Sequence, residues 1–276
     1  MESTPQPEPQ PPQNYGRPPL RPWVQAGAFA LVLLVFGTLV LSIIARTRAE
    51  AAKMTCKNHL KQIAIALHTY ADSNNGAFPP ATTPNPEQPY HRRLSWMFEM
   101  DPYIHARMDP NWVPKRSAPW DAPANLALAR ERIPWYVCPA LKFQTDANGL
   151  GLTHYVASLG VGEPPFDHKH VGAFNLDRPT PSAGYNDGNS NVVLLFETAH
   201  DLGPWAAGGR PTARGFVPEG APPFAREGQF GGLHRGGANV AFANGHVIFV
   251  SDRIDATVLR AYVTASAGDI PPAPLE

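Results

Sequence analysis

The 276-residue sequence has no excess of charge of either sign, and only 17% of its residues are charged. Its 23 basic and 23 acidic residues balance without forming a long block of like charge. This argues against a nucleic-acid-binding protein, which needs a basic face. Hydrophobic residues make up 43% of the chain, which excludes disorder throughout its length. One or two globular domains fit this length and composition.

Cysteine is scarce: Cys56 and Cys138 are the two in the chain, and neither lies in a C-x-x-C motif or at a zinc-finger spacing. The residues alone leave two alternatives open, buried thiols in a cytosolic protein or an oxidised pair in an exported one.

The sequence also lacks the motifs of serine hydrolases, zinc proteases, P-loop proteins and dinucleotide-binding proteins. Glu197 and Asp201 could be imagined as an acid–base pair, but a sequence of this size offers such pairs by chance. We therefore expect that the protein is not an enzyme.

Ten histidines invite a metal-site interpretation. The segment Asp167–His170 could place two imidazoles on one strand face, but no third ligand follows at a recognisable spacing. The segment Asp187–Thr198 begins like a calcium loop, yet it has valine where the loop needs glycine and threonine where it needs glutamate. We expect no metal and no cofactor, with calcium at this loop as the alternative.

The longest apolar run extends from Val24 to Ala45 and contains 22 residues without a charge. As a helix it is about 33 Å long, which is enough to cross a bilayer core. Trp23 is a typical interfacial anchor at its edge. A signal peptide would have a shorter apolar core and a small-x-small cleavage site, whereas this run leads directly into Arg46. The pattern predicts a transmembrane helix over 23–45, preceded by a proline-rich disordered tail over 1–22.

An amphipathic helical pattern continues beyond the span. Apolar residues recur at steps of three and four along one stripe, formed by Cys56, Leu60, Ile63, Leu67 and Tyr70. This predicts a stalk helix over 46–73 within a head domain over 46–270, followed by a disordered tail over 271–276. Because a single apolar stripe needs a covering layer, we expect a sheet from the rest of the chain and an α+β fold.

The remaining pattern predicts short elements separated by loops. Asn244-Gly245 is a strong two-residue turn signal between two strands, 239–243 and 246–250. Asp255 is typical of the cap of a final helix. Further strands are predicted over 135–138, 154–159 and 192–197, and helices over 93–103 and 122–132. Five tryptophans in the loop-rich stretches could stack on a ligand, but we favour space filling between loops and sheet: Trp96, Trp112, Trp120, Trp135 and Trp205.

Four ordered segments resemble a known family. They are Cys56–Tyr70 with Phe78–Ala81, Pro119–Asn125 with Cys138-Pro139, Asn186–Glu197 and Gly231–Gly245. Together they are similar to the bacterial domain of unknown function 1559, also called the prepilin-type H-x(9)-D-G domain, over residues 46–268. The family motif falls on His234, Asn244 and Gly245, and on the residues Asn186, Asp187 and Gly188.

The resemblance implies a type IV pilin-like architecture, with a long N-terminal helix in the inner membrane packed on an antiparallel sheet. It also implies a disulfide between Cys56 and Cys138. The positive-inside rule would keep the head in the cytoplasm, because Arg46, Arg48 and two lysines follow the span. The resemblance instead implies a periplasmic head with residues 1–22 in the cytoplasm.

Two positions depart from the family pattern. Val32 stands at the fifth position after Gly27, where prepilins have a glutamate, and the span contains no acidic residue. We therefore expect that the chain keeps its N-terminus and forms no fibre. Asn244 replaces the aspartate of the terminal motif, which a hairpin turn tolerates and a carboxylate ligand role does not.

These observations predict a single-pass, non-catalytic, pseudopilin-like envelope protein, an accessory of a type II secretion or pilus-like system. Its expected partners are the membrane and that machinery, with no nucleic acid. The alternative is an anchored extracytoplasmic protein that binds a sugar or peptide as a small-molecule ligand, whose identity the sequence leaves open.

Overall fold

A computed structural model describes residues 21–104, 113–164, 169–225, 228–268 and 275. Most of the predicted tails 1–22 and 271–276, and the residues Trp112, Asp167 and His168, lie outside these ranges. The chain divides into two compact units, residues 1–47 and 48–276.

Helix α1 extends over Pro22–Ser73 and includes the whole predicted span and stalk. In the described part of the chain it is the one helix long and apolar enough to cross a membrane. None of its most apolar window is buried, which distinguishes it from the core helix of a soluble domain. By length and composition this segment is a membrane anchor or a signal sequence.

Within the second unit, α1 buries the predicted stripe. Leu60, Ile63 and Leu67 are fully buried, and Tyr70 is half-buried against the same core. The helix ends at Ser73, after which Gly76 adopts a φ of 70° that glycine tolerates without strain. The stripe predicted from residue spacing is therefore confirmed.

Five strands form the main sheet, in the order β5-β2-β4-β6-β7. Their bounds are Tyr155–Val161 for β2, Val193–Glu197 for β4, Ala213–Phe216 for β5, Gly237–Phe242 for β6 and Val247–Ser251 for β7. Strands β1 (Ala77–Phe78) and β3 (Thr180–Pro181) pair separately. Three neighbouring pairs of the main sheet are antiparallel, but β2 and β5 are parallel. The predicted antiparallel sheet is therefore confirmed in three of its four strand pairs, and the added parallel pair at the β5 edge makes it mixed.

Both faces of the sheet are covered. On one face, Leu195 and Ala241 lie in the same hydrophobic cluster as the α1 stripe. On the other face, Phe196 and Val240 pack with the C-terminal helix α4 (Ala256–Val263). The fold is α+β, with a helix packed on a sheet as predicted.

The local predictions have mixed outcomes. The hairpin around Asn244-Gly245, strands β2 and β4, and the Asp255 cap of α4 are confirmed, with small shifts of their ends. The strand predicted over 135–138 is instead a 3-10 turn at Pro134–Tyr136, because proline cannot donate to a ladder. The helix predicted over 93–103 divides into a 3-10 turn, Trp96–Phe98, and α2, Asp101–Ile104. Helix α3 is Pro123–Ala129, shorter than predicted.

Candidate functional site

One end of the sheet directs polar side chains toward α1. Tyr155 of β2 is the register partner of Glu197, the last residue of β4. Asn239 of β6 lies beside Glu197 and is fully buried, as are the other two. Because side chains alternate along a strand, these three residues share the face that carries Leu195 and Ala241.

Cys56 of α1 and Cys138 meet above this end of the sheet. They form a disulfide with a Cα–Cα distance of 5.3 Å, across a sequence separation of 82 residues. Both residues are buried. The bond joins the stalk part of α1 to the loop after the Pro134–Tyr136 turn, and it confirms the pairing implied by the family resemblance.

Glu197 and His234 form a buried pair next to this disulfide. His234 Nε2 lies 3.0 Å from Glu197 Oε1 and 3.5 Å from Cys138 Sγ. The other carboxylate oxygen, Oε2, accepts hydrogen bonds from the Asn239 backbone N–H at 2.8 Å and from its Nδ2 at 3.1 Å. Cys56, Cys138, Glu197 and His234 are called the Cys–Glu–His cluster below.

Aromatic groups and histidines surround the cluster, and burial shifts their pKa values. Burial and, to a lesser extent, the charge of Glu197 raise the pKa of Tyr155 well above its usual range. Burial lowers the pKa of His154 to about 4. The neutral His154 ring accepts a hydrogen bond at Nδ1 from the Cys138 backbone N–H at 2.7 Å. His59, whose pKa burial also lowers, lies 3.0 Å from the Val137 carbonyl through Nδ1.

Glycines fix the position of His234. The Gly231 N–H donates to the Glu197 carbonyl at 2.7 Å, which holds the segment before His234 against the end of β4. Gly237 opens β6 with a φ of 157°, and a Cβ there would lie 2.0 Å from the Val250 carbonyl oxygen. Strand β6 separates His234 from the Asn244-Gly245 turn, so the nine-residue spacing of the family motif corresponds to a strand of about 20 Å with its flanking turns.

The other end of the motif contacts α1 at Lys61, five residues after Cys56. Gly245 has a φ of 80°, as the hairpin turn requires, and its carbonyl accepts a hydrogen bond from Lys61 Nζ at 2.5 Å. Asn244 Oδ1 accepts from the His246 N–H at 3.1 Å, a bond that aspartate could accept equally. The two ends of the motif therefore contact α1 at separate points.

The polar residues that resemble a calcium loop support a turn. The Asp187 Oδ1 accepts from the Gly268 N–H at 2.8 Å, and Gly188 has a φ of 84°. Asn189 binds the backbone of Ser182 and Gly184 through its amide, while Asn186 is exposed. The backbone carbonyl of Asn189 also accepts a hydrogen bond from the Asn244 N–H at 3.0 Å. These contacts fix the turn that precedes β4.

An open groove of about 510 Å³ lies beside His234. Cationic side chains dominate its polar lining: Arg48, Lys53, Lys142 and Arg235. Lys53 pairs with Glu50 at 2.6 Å. In the described ranges the other three have no ion-pair partner, so the groove has a surplus of positive charge.

Other candidates from the sequence are not brought together. Asp201 pairs with Arg210 at 2.9 Å, whereas Glu197 pairs with His234, so the two acids have separate partners. Trp96 and Trp205 are fully buried and fill space in the core, as predicted. The sequence did not predict the Glu197–His234 pair, although both residues lie in the segments that resemble the family. An apolar strand that ends in an acidic residue is the signal that could have identified Glu197.

Comparison with known proteins assigns the chain to a family. A model of the family described as "Protein of unknown function (DUF1559)" matches residues 46–217. No curated protein and no solved structure matches the chain significantly. The matched residues cover more than half of the sequence and include Cys56, Cys138 and Glu197, so the chain belongs to the DUF1559 family.

Proposed function

We propose that this DUF1559 protein is a single-pass, non-catalytic envelope protein with an exported head, a pseudopilin-like accessory of a type II secretion or pilus-like system. The observation that carries the proposal is the continuity of α1, which includes both the apolar span and the buried stripe of the head. One continuous helix therefore contains both the candidate anchor and a core element of the head.

The disulfide supports an exported head. Disulfides persist in oxidising compartments such as the bacterial periplasm and are rare in the cytosol. Cys56 and Cys138 are paired, and the bond fixes α1 to the head. This orientation opposes the literal positive-inside rule, which is weak for large translocated domains.

Cross-linking in membranes tests the proposed partnership. The full-length chain, tagged at its C-terminus, would be cross-linked in cells and purified, and its partners identified by mass spectrometry. We expect inner-membrane components of a secretion or pilus-like system. A matched control carries an unrelated apolar span in place of residues 24–45 and should lose contacts that depend on this helix. Recovery of the protein alone would contradict the proposal.

A second candidate function is ligand binding at the basic groove. Arg48, Lys142 and Arg235 have no ion-pair partner among the described residues, which favours a sugar or peptide ligand that carries negative charge. We expect the full-length protein to bind an acidic oligosaccharide or a glutamate-rich peptide more tightly than a neutral oligosaccharide, and added salt to weaken this binding.

Charge reversal distinguishes this groove from general surface charge. The double variant Lys142→Glu/Arg235→Glu should lose binding at least tenfold, whereas Lys115→Glu/Arg178→Glu, outside the groove, should retain it. Equal loss in both variants would assign the binding to net charge. Binding without membrane partners would favour this function over the pseudopilin-like one.

A further inference from the structure

We propose that reduction of the disulfide converts the Cys–Glu–His cluster into a four-coordinate zinc site. The two Sγ atoms, a carboxylate oxygen of Glu197 and a ring nitrogen of His234 all lie within 4.8 Å of one another. Two thiolates, one imidazole and one carboxylate are a ligand set that Zn²⁺ binds in tetrahedral geometry. This inference rests on the geometry of the cluster and not on the proposed secretion role.

The burial of Glu197 is the feature that the disulfide alone does not explain. Its side chain is fully buried, and among the described residues its single ionic partner is His234. The hydrogen bonds from Asn239 satisfy one carboxylate oxygen but supply no positive charge, and a disulfide needs no acid beside it. A divalent cation at the centre of the cluster would compensate this charge directly.

Orientation within the cluster also suits a metal. His234 directs one atom, Nε2, at both Glu197 Oε1 and Cys138 Sγ. The remaining oxygen of Glu197 is held by the two donors of Asn239. Hydrogen bonds of this kind fix the orientation of a ligating carboxylate in metal sites. His234 also lines the groove, so one ligand of the cluster borders an opening to solvent.

The oxidation state decides whether the site exists. A thiol or phosphine reductant supplies two electrons and the medium two protons, the S–S bond breaks, and two thiols form. On binding, Zn²⁺ replaces the two thiol protons, which are released. Tetrahedral Zn–S bonds of about 2.3 Å place the sulfurs about 3.8 Å apart, so a small separation of the two side chains suffices. The disulfide and the metal are then alternative clamps between α1 and the head.

Cobalt titration of the full-length protein in detergent tests the site. The protein is reduced with a phosphine, freed of reductant without oxygen, and titrated with Co²⁺. We expect one Co²⁺ per chain, with thiolate-to-cobalt charge-transfer bands and the intense visible bands of a four-coordinate ion, all displaced by Zn²⁺. The oxidised protein should show none of these bands. The proposal would be overturned if the reduced protein showed no such bands, or if the reduced and oxidised proteins showed bands of equal intensity.

Variants assign the ligands. His234→Ala and Glu197→Gln should each weaken Co²⁺ binding at least 100-fold in the reduced protein, while the exposed His91→Ala and Glu87→Gln should bind like the wild type. Circular dichroism checks that each variant is folded. If Glu197→Gln does not fold, His234→Ala decides alone. Unchanged binding in a folded His234→Ala would overturn the assignment.

Discussion

The Nε2 atom of His234 lies 3.0 Å from Oε1 of Glu197, although 37 positions separate the two residues in the chain. The pair closes the end of the sheet where β4 stops and β6 begins. Because Glu197 also accepts two hydrogen bonds from Asn239, one carboxylate joins the end of β4 to β6 and to the segment that carries His234.

Removal of this carboxylate should destabilise the head. Glu197→Leu leaves the buried Asn239 N–H without its acceptor, and we expect a loss of about 2–4 kcal/mol in the free energy of unfolding. Glu197→Gln keeps an acceptor oxygen and should cost about 1 kcal/mol or less. Denaturant unfolding of the oxidised, metal-free protein measures both. Equal stability of the leucine variant and the wild type would show that the carboxylate does not organise this region.

The disulfide should contribute substantially to stability. A bond that closes a loop across 82 residues contributes about 4–5 kcal/mol in the chain-entropy model. Cys56→Ser/Cys138→Ser should therefore unfold at a markedly lower denaturant concentration than the oxidised wild type. Reduced wild type without metal serves as the control and should behave like the variant. If neither the double substitution nor the reduction lowers the denaturation midpoint, the disulfide does not make this contribution.

Gly237 and its neighbour Gly236 form a matched pair. A methyl group at Gly237 would meet the Val250 carbonyl at 2.0 Å, whereas one at Gly236 meets nothing within 4 Å. Both have positive φ, so Gly236→Ala should cost about 1 kcal/mol from backbone strain alone. Gly237→Ala adds overpacking between β6 and β7 and should cost about 3 kcal/mol or more. Thermal unfolding compares the two, and equal losses would contradict this close approach.

His154 should make the head sensitive to acid. Its pKa is about 4 in the folded protein and 6.5 when unperturbed, so the unfolded chain binds the proton first as the pH falls. The stabilising contribution is complete above pH 6.5 and is lost between 6.5 and 4, with a total of about 3 kcal/mol. His154→Asn keeps an acceptor for the Cys138 N–H and should flatten the pH dependence of unfolding in this window. The exposed His91→Asn is the control, and a profile that His154→Asn does not change would contradict the assignment.

The elements with strong periodicity were predictable from the sequence. The stripe of α1 follows from Leu60, Ile63 and Leu67, because helical spacing places them on one face. The hairpin follows from Asn244-Gly245 and the apolar residues on both sides. In both, a local pattern determines the local structure.

The Cys–Glu–His cluster could not be predicted in the same way. Its four residues come from α1, a loop, the end of β4 and the segment before β6. No spacing links them, because the tertiary fold brings these four segments together. The resemblance supplied the cysteine pair, whereas the Glu197–His234 contact required the register of β4 and β6.

Strand β5 was missed for a related reason. Its sequence, Ala213–Phe216, includes Arg214, which as a charged residue argues against a buried strand. The fold buries Arg214 because its guanidinium donates to the carbonyls of His200 and Gln229. Burial lowers the pKa of Arg214 to about 10, and these partners come from distant segments. A prediction from the sequence pattern includes the charge of Arg214 but not the partners that allow its burial.

Protease accessibility in a Gram-negative bacterium tests the central claim, an anchored protein with its head outside the cytoplasm. The full chain carries a C-terminal epitope, and protease is added to spheroplasts with an intact inner membrane. We predict that the epitope is degraded while a cytoplasmic marker protein remains intact. An epitope that stays protected until the inner membrane is broken would place the head in the cytoplasm and contradict this account.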